Sequence, residues 1–339
     1  MLDPAKHPFY LHASRQPFIC YQNQQPVGRI VAIKDDLHNE YYGDKVGFFG
    51  FFETIDDQDV ANLLIDEASQ WLTNQGCESA RGPVSPSMKG EFGVVVKGND
   101  DPPFVMMGYS PRYYEDLLLN NGFETVREFY TYLYDIPSMR KDVMAQEPEL
   151  RSVTEKVLKR YPSLRIRNVS QKTLEQELRR INELGNKVRS KAWGFVPLTA
   201  KELDFMVKQL KKVLKPDTLL VAYWEDKLVG YCVNVPCVNW ALRKCIGRSD
   251  WVRLPQFLYW MRRTSRTRVI GLGADEDYRK KGVGVLLSGE MRYRGTRDMQ
   301  FDQWEFSWVD SANVASIRAI GRTMPLVHFK TLRLYEKPL

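Results

Sequence analysis

Residues 269–287 read Val-Ile-Gly-Leu-Gly-Ala-Asp-Glu-Asp-Tyr-Arg-Lys-Lys-Gly-Val-Gly-Val-Leu-Leu. An apolar, strand-like run gives way to a short acidic turn. Arg279, Lys280, Lys281, Gly282, Val283 and Gly284 then open an apolar stretch with helical spacing. Cations and glycines at the start of a helix can cradle an anion. The first turn offers N–H groups without intrahelical acceptors and the positive end of the helix dipole, and glycine lets a phosphate approach the backbone closely. The spacing suits a pyrophosphate. It is neither GxxxxGK[ST] nor GxGxxG, which disfavours nucleoside triphosphates and NAD. A basic strand-to-helix turn capped by glycines accounts for the same residues equally well.

Other candidates are more dispersed. Glu305 sits mid-strand in Trp304-Glu-Phe-Ser-Trp308; buried, it could act as a base, and on an edge it would face solvent. Five cysteines (Cys20, Cys77, Cys232, Cys237, Cys245) show no CxxC pair, and the four histidines (His7, His12, His38, His328) show no HExxH. No metal site and no disulfide framework is expected. Cys237 reads as a buried free thiol rather than a nucleophile, and His328 as structural. Between Arg243 and Arg268 lie eight basic residues (Arg243, Lys244, Arg248, Arg253, Arg262, Arg263, Arg266, Arg268) against Asp250 alone, interleaved with Trp251, Leu254, Phe257, Leu258, Trp260 and Met261. That composition fits an interfacial helix on an anionic bilayer; a packed helix with a solvated basic side fits it too. No recognition motif accompanies the charge, so nucleic acid is not an expected partner.

The elements that must position these residues fall into two blocks. The length of 339 residues favours two domains, and 43% hydrophobic residues with a net charge of +7 describe a globular, mildly basic chain. No apolar run is long enough to span a bilayer, and no secretory signal follows Met1. In the first block a hairpin (18–21 with 27–33), a strand (46–52), a helix (56–75, with Val60, Leu63, Leu64, Ala68, Trp71 and Leu72 as its apolar set), a short helix (113–121) and a strand (128–134) follow one another. Residues 137–163, bracketed by prolines, read as a linker between domains 1–136 and 164–339. The second block gives a strand (164–169), helices (174–184, 198–214), a hairpin (219–224 with 228–235), a strand (268–274), the motif helix (282–293), a strand (303–309), a helix (312–320) and a last strand (329–335). Val27-Gly28 and Val229-Gly230 occupy matching places in the two hairpins, and Leu63-Leu64 and Leu286-Leu287 in the two main helices. The second copy carries an insertion near 240–266.

Arg279-x-x-Gly282-x-Gly284 in this strand–helix context resembles the acyl-CoA signature of the GNAT superfamily of N-acyltransferases, and the order of elements after residue 160 is that of the family. The expected fold class is therefore α/β with a mixed sheet, as two tandem GNAT-like domains, the N-terminal one degenerate. His7-Pro-Phe, Gly28-Arg-Ile, the 82–87 segment, Tyr113-Tyr114 and the ending Tyr335-Glu-Lys-Pro-Leu339 resemble bacterial tandem GNAT-like proteins, some of which resemble the enzymes that N-acylate sphingoid bases. The resemblance implies a sheet that splays after the motif strand. Acetyl-CoA or a longer acyl-CoA would lie in the splay, held by Leu272, Gly273, Ala274, residues 279–284 and Asn313. An amine or lipid amine would attack with Glu305 as base, and no metal is implied. The family's acid is a tyrosine seven residues after the asparagine; here that position is Ile320, so the expected acid is Tyr335 or a solvent molecule, or the thiolate leaves unprotonated. Trp193, Phe195 and Asn239 are the expected acceptor-site residues, with Asn186 nearby and Thr199 as the cap of the next helix. Cys237 stands where the related proteins have Asp. Aligning the leucine pairs puts Asp56 opposite Arg279, Asp59 opposite Gly282 and Ala61 opposite Gly284, so the first block is expected to bind no CoA. The implied location is cytoplasmic, with the inner membrane face as the lipid-acylating alternative. A catalytically silent acyl-CoA sensor is the remaining reading.

Overall fold

A computed structural model describes the chain apart from residues 1, 215, 298–300, 314–317, 319–320 and 322–323; for 139–147, 150, 213, 250 and 295–297 it describes the backbone alone. The chain divides into two compact units. The first holds Met1–Tyr130, Gly194–Glu202 and Lys330–Leu339, the second Thr131–Trp193 and Leu203–Phe329.

In the first unit β1 (Ala13–Gln22) and β2 (Gln25–Asp35) form a hairpin. Its turn residues Asn23 and Gln24 both have positive φ, the backbone hand that suits strand twist. Helix α1 (Asp36–Tyr42) leads into β3 (Val46–Thr54), and α2 (Gln58–Asn74) returns to β4 (Ser79–Gly82), which runs parallel to β3. Asp57 caps α2, accepting from the N–H groups of Asp59 and Val60 at 2.9 and 3.2 Å. Val60, Ala61, Leu64, Ile65, Ala68 and Leu72 are buried, while Leu63 is 60% exposed and is not part of the expected apolar face. The short strands β5 (Val84–Ser85), β6 (Glu91–Phe92) and β7 (Val94–Lys97), then α3 (Tyr114–Leu119), complete the run to β8 (Glu124–Asp135).

Two expectations fail. The segment 137–163 is not a linker: α4 (Ile136–Arg160) fills most of it and belongs to the second unit. Pro137 stands in the first helical turn, where no N–H is needed, and so starts the helix instead of breaking it. The chain's last strand, expected to close the second block, returns to the first unit. There Tyr335–Pro338 pairs antiparallel with β4, and Tyr335 joins the core.

The second unit orders its strands β9 (Leu164–Asn168), β10 (Leu219–Trp224), β11 (Lys227–Pro236), β12 (Arg266–Ala274) and β13 (Gln303–Asp310). The first three joints are antiparallel, and β12 to β13 is parallel. Helix α5 (Leu174–Arg189) follows β9, α6 (Ala200–Val213) precedes β10, and α7 (Val238–Arg243) with α8 (Asp250–Arg262) form the insertion. After α9 (Glu276–Arg279), α10 (Val283–Arg297) starts. The strand β14 (Val327–Pro338) ends the chain. The helix expected over 312–320 lies outside the described residues. The two blocks repeat at contact level. A Cβ on Gly28 would come within 2.7 Å of Leu64 Cδ1, and one on Gly230 within 2.8 Å of Leu287 Cδ1, so each hairpin glycine admits its matching leucine.

Residues 194–202 are fastened into the first unit by an ionic network. Thr199 and Glu202 form a reciprocal capping box at the start of α6: Glu202 Oε2 accepts from Thr199 N at 2.8 Å, and Thr199 Oγ1 accepts from Glu202 N at 3.3 Å. His12 stands between Asp35 (2.9 Å) and Glu202 (3.4 Å), and Lys89 reaches Glu202 at 3.3 Å. Burial opposes a charge on His12, but the hydrogen bonds to Asp35 and Glu202 outweigh it and lift the pKa from 6.5 to about 9. Burial would raise Glu202; His12, Lys89 and Thr199 outweigh it and bring it from 4.5 to about 2. Protonated His12 therefore stabilises the fold fully below pH 6.5, and that contribution fades as pH rises through about 9. Ionised Glu202 contributes above pH 4.5 and is lost as pH falls toward about 2. His12→Gln is expected to lose roughly 1–3 kcal/mol in denaturant unfolding at pH 6, with the deficit shrinking above pH 9. A deficit independent of pH would show that packing, not charge, fastens the segment.

Candidate active site

The second unit's chemistry gathers where β12 leaves β13. The strands pair only from Arg266↔Gln303 to Val269↔Phe306. A bulge sets in at this point: on the other edge Asn234 pairs with Val269 and Val233 with Gly271, so Ile270 is the extra residue. Bulges bend a strand and sharpen its twist, and beyond Val269 the edge of β12 that faced β13 is released. Gly271 and Gly273 lie against the Tyr231 ring, with Cβ positions that would fall 3.2 and 2.8 Å from it. Leu272, Gly273 and Ala274, expected to hold a carbonyl, lie on this released stretch of β12, whose glycines rest against an aromatic floor.

Asp275 ends β12 and caps α9, accepting from Asp277 N at 3.2 Å. Lys187 and Lys227 approach it at 3.1 and 3.4 Å. Burial would raise the Asp275 carboxyl, yet Lys187, the Asp277 N–H and Lys227 hold it below its ordinary value. The acidic turn is in this way neutralised next to the Arg279–Gly284 segment. Arg279 donates through Nε to Ala274 O at 3.1 Å, tying the motif back to the strand. Lys281 rests over the rings of Trp224 (4.0 Å) and Tyr278 (4.4 Å), and Lys280 is exposed. Gly282 turns the chain with φ +84, a conformation that favours glycine. Val283 is buried. Gly284 faces open space: among the described residues, a Cβ there would have no protein atom outside its own helical turn within 4 Å. Packing does not demand a glycine at this position. Helix geometry leaves the first N–H groups of α10 without intrahelical acceptors, so the open side of Gly284 offers room and donors to a diphosphate.

Glu305 is fully buried on β13, one register step before the strands part, and opposite Arg268, itself 1% exposed. Arg268 Nε lies 3.4 Å from Glu305 Oε2 and 2.7 Å from Ser307 Oγ, and its guanidinium stacks on Trp308 at 4.1 Å. The solvent-facing alternative for Glu305 is therefore excluded. Arg268 is correspondingly removed from the expected basic rim, and Arg266 is engaged by Gln303 on β13. Asn313 is exposed just after β13, its N–H bonded to Asp310 O at 2.8 Å. Asn239 is half-buried on α7, and Cys237 is a buried free thiol at the start of that helix. Asn186 is half-buried on α5. Trp193 closes a segment of the second unit, whereas Phe195 belongs to the first, its carbonyl accepting from Tyr42 Oη at 2.9 Å. His328 stacks on Tyr132 with centroids 5.8 Å apart. Tyr335 corrects an expectation: it sits in the core of the first unit, not in the unit that holds Glu305, and donates to Glu115 Oε1 at 2.8 Å. Among the described residues no cluster of His, Cys, Asp or Glu is arranged to hold a metal ion.

The first unit has the same device with a different filling. β3 and β4 pair in parallel only from Val46↔Ser79 to Phe48↔Arg81, and β3 is bulged at Phe51, where φ is +50. Here the parted edge is taken by the chain itself. Ser85 Oγ accepts from Phe51 N at 3.0 Å, and a Cβ on Gly50 would fall on Val84 O.

No family model matches the chain. Two solved proteins align over nearly all of it: a tandem GNAT protein from the clavulanic acid biosynthesis pathway (TM-score 0.54, 8% identity, 96% of this chain and 83% of that one) and the GCN5-related glucosamine N-acetyltransferase region of a fungal β-N-acetylglucosaminidase (TM-score 0.56, 10% identity, 95% of this chain and 33% of that one). The chain has a tandem GNAT fold. In sequence it is similar to a bacterial ceramide synthase of Caulobacter vibrioides, 29% identical over the whole chain and 87% of the relative. Protein YghO of Escherichia coli is 28% identical over 99% of this chain and 85% of its own length.

Sequence reasoning missed Arg268 as the partner of Glu305, Tyr231 as the floor, and Lys187 and Lys227 as the neutralisers of Asp275. Only Arg268 left a trace, as a lone cation in a run otherwise fit for a buried strand. Gly284→Glu is expected to weaken acetyl-CoA binding at least about 100-fold by calorimetry, through volume and like charge, while Asp59→Asn in the first unit leaves it unchanged. Equal affinity in a folded Gly284→Glu chain would remove the cradle, and a loss in Asp59→Asn would move it to the first unit.

Proposed function

We propose that the chain is an acyl-CoA-dependent N-acyltransferase whose donor site is the parted β12 edge and the α10 N-terminus of the second unit. The open side of Gly284 at that N-terminus carries the reading. The donor's diphosphate takes the α10 N–H groups, with Arg279, Lys280 and Lys281 around it. Backbone N–H groups between Ile270 and Ala274 polarise the thioester carbonyl and stabilise the oxyanion that forms there. A neutral amine attacks the carbonyl carbon, the C–S bond breaks, and CoA leaves as thiolate. The proton lost by nitrogen passes to Glu305, directly or through water. Tyr335 has no part in this scheme. Burial pushes its hydroxyl pKa up and Glu115 reinforces the shift, so the leaving thiolate takes its proton from solvent.

We further propose a long-chain acyl donor and a lipid-type amine as acceptor, in a cytoplasmic chain that works at an anionic membrane face. The similarity to a bacterial ceramide synthase over the whole chain supports the substrate class. The α7–α8 insertion supports the location. Trp251 (82% exposed), Leu254 and Leu258 project at helical spacing from α8, and Leu242 and Ile246 are exposed beside them. Arg243, Lys244, Arg248, Arg253, Arg262 and Arg263 are exposed around this stripe. No helix among the described residues is long and apolar enough to cross a membrane, so such an attachment would be interfacial.

Glu305→Gln is expected to lower the acyl-transfer rate by ~10²–10⁴ with acyl-CoA affinity little changed; an unaltered pH–rate profile would pass the role to another group. Replacing Arg253, Arg262 and Arg263 together with Gln is expected to abolish most binding to anionic liposomes at low salt, each cation being worth up to ~1 kcal/mol at the surface. Transfer of a short acyl chain in solution should be unaffected. Wild-type chain that ignores such liposomes would leave the insertion as a solvated face.

A further inference from the structure

We propose that the first unit contains a second site, a pocket that binds a primary ammonium group through Asp35, His38 and Ser87. The pocket lies between the start of α1, β3, the 86–89 turn and residues 194–196, and is small, with a cavity volume of about 20 Å³. Phe48, Met88 and Val196 give it apolar walls. It is sized for the end of a ligand whose body lies outside.

His38 is the observation that points to a ligand. It is 3% exposed, lines the pocket, and packs against the rings of Tyr42 and Phe48 at 4.7 and 4.8 Å. Its Nε2 makes no hydrogen bond; the nearest carboxylate oxygen, on Asp44, is 3.7 Å away. Buried polar atoms are nearly always satisfied, and this nitrogen, on a residue of the pocket wall, has no hydrogen bond within the protein. Burial lowers the pKa of this imidazole, and in the neutral tautomer with the proton on Nδ1 its Nε2 accepts a hydrogen bond. Asp35 uses Oδ1 for both its bonds, to the His12 ring at 2.9 Å and the His38 N–H at 3.2 Å, which leaves Oδ2 free. Ser87 adds a hydroxyl, engaged only by the N–H of Lys89 at 3.3 Å.

The charge balance selects a cation. Asp35, Asp44 and Glu202 bring three carboxylates to the cluster and His12, Lys89 and Arg81 three positive charges; Lys89, itself in the pocket wall, is paired with Glu202, and Arg81 with a fourth carboxylate, Glu336, which leaves the balance negative. The groups left to a ligand are a carboxylate oxygen, a neutral imidazole and a hydroxyl. Three acceptors match the three N–H donors of an alkylammonium, and an alkyl chain would follow the apolar walls. A quaternary ammonium has the charge without the donors.

Whether this amine is the acceptor rests on the N-acyltransferase reading; that the pocket binds an amine does not. Octylamine titrated into the full chain at pH 7.5 without CoA is expected to bind saturably, and octyltrimethylammonium to bind at least about ten-fold more weakly. His38→Gln and Ser87→Ala should each weaken octylamine binding about ten-fold with unchanged thermal unfolding, and Gly284→Glu should not affect it. Equal binding of the two probes, or undiminished octylamine binding in both folded variants, would overturn the site. If the amine KM in acyl transfer rises with the dissociation constant at constant kcat, the bound amine is the acceptor. An unchanged KM separates the bound amine from the acceptor and leaves the pocket a second amine site.

Discussion

Four rungs of parallel pairing hold β12 to β13, and the extra residue at Ile270 prevents a longer ladder. Everything proposed for the second unit depends on where that ladder stops. The released edge of β12 frees backbone donors in a folded, sheltered strand, which a complete sheet would have used. The same strand delivers the chain to Asp275, whose cap starts the turn into the Arg279–Gly284 segment. Gly230 on the neighbouring strand then lets Val283 and Leu287 press onto the sheet, with contacts that a Cβ would close to 2.6 and 2.8 Å. The helix N-terminus is therefore set against the sheet by packing and not by a flexible loop. A site built this way is pre-organised, the condition under which fixed dipoles stabilise developing charge.

The buried pair Arg268–Glu305 sits just inside this junction. Two ions in an apolar interior are a weak source of stability, because desolvation offsets much of their attraction. Their placement across the last full rungs of the parallel ladder suits a different role. In the reaction proposed above, a carboxylate kept next to the parting point and balanced by a cation on the facing strand would take the proton of the attacking amine. Arg268 is in turn held by Ser307 and Trp308 on β13, so the pair is oriented from both strands.

Much of this was legible in the sequence because the signals were local. The Arg279–Gly284 segment, the hairpins and the helical periodicities each carry their own evidence. The repeated Val-Gly and Leu-Leu pairs were legible as matching places in the two blocks, whereas the close approach of each glycine to its leucine came from the packing. What was not legible depends on distant partners. Pro137 breaks or begins a helix according to what precedes it, and β14 reads as a strand with no indication of which sheet it joins. Tyr335 followed its strand into the first unit. Leu63 was placed on the buried face of α2 because one residue of helical phase, about 100°, separates it from Leu64. Glu305 could be read as buried or exposed until Arg268 appeared opposite it.

The insertion shows how the fold sorts residues of one composition into two roles. Arg266 and Arg268 belong to β12, where the register with β13 sets them against Gln303 and Glu305. The remaining cations fall on or beside α7 and α8, and there Lys244 and Arg263 lie over Trp240, Trp260 and Tyr259. Stacked on rings, these side chains keep their charge at the surface while covering aromatic area, so half-buried Trp240 and Trp260 do not add to the apolar stripe. What stays uncovered is Trp251, Leu254 and Leu258 on α8, with Leu242 and Ile246 before it. An apolar stripe of this kind, left open while neighbouring aromatics are capped by cations, is what an interface between water and lipid would bury, and water alone would not favour it.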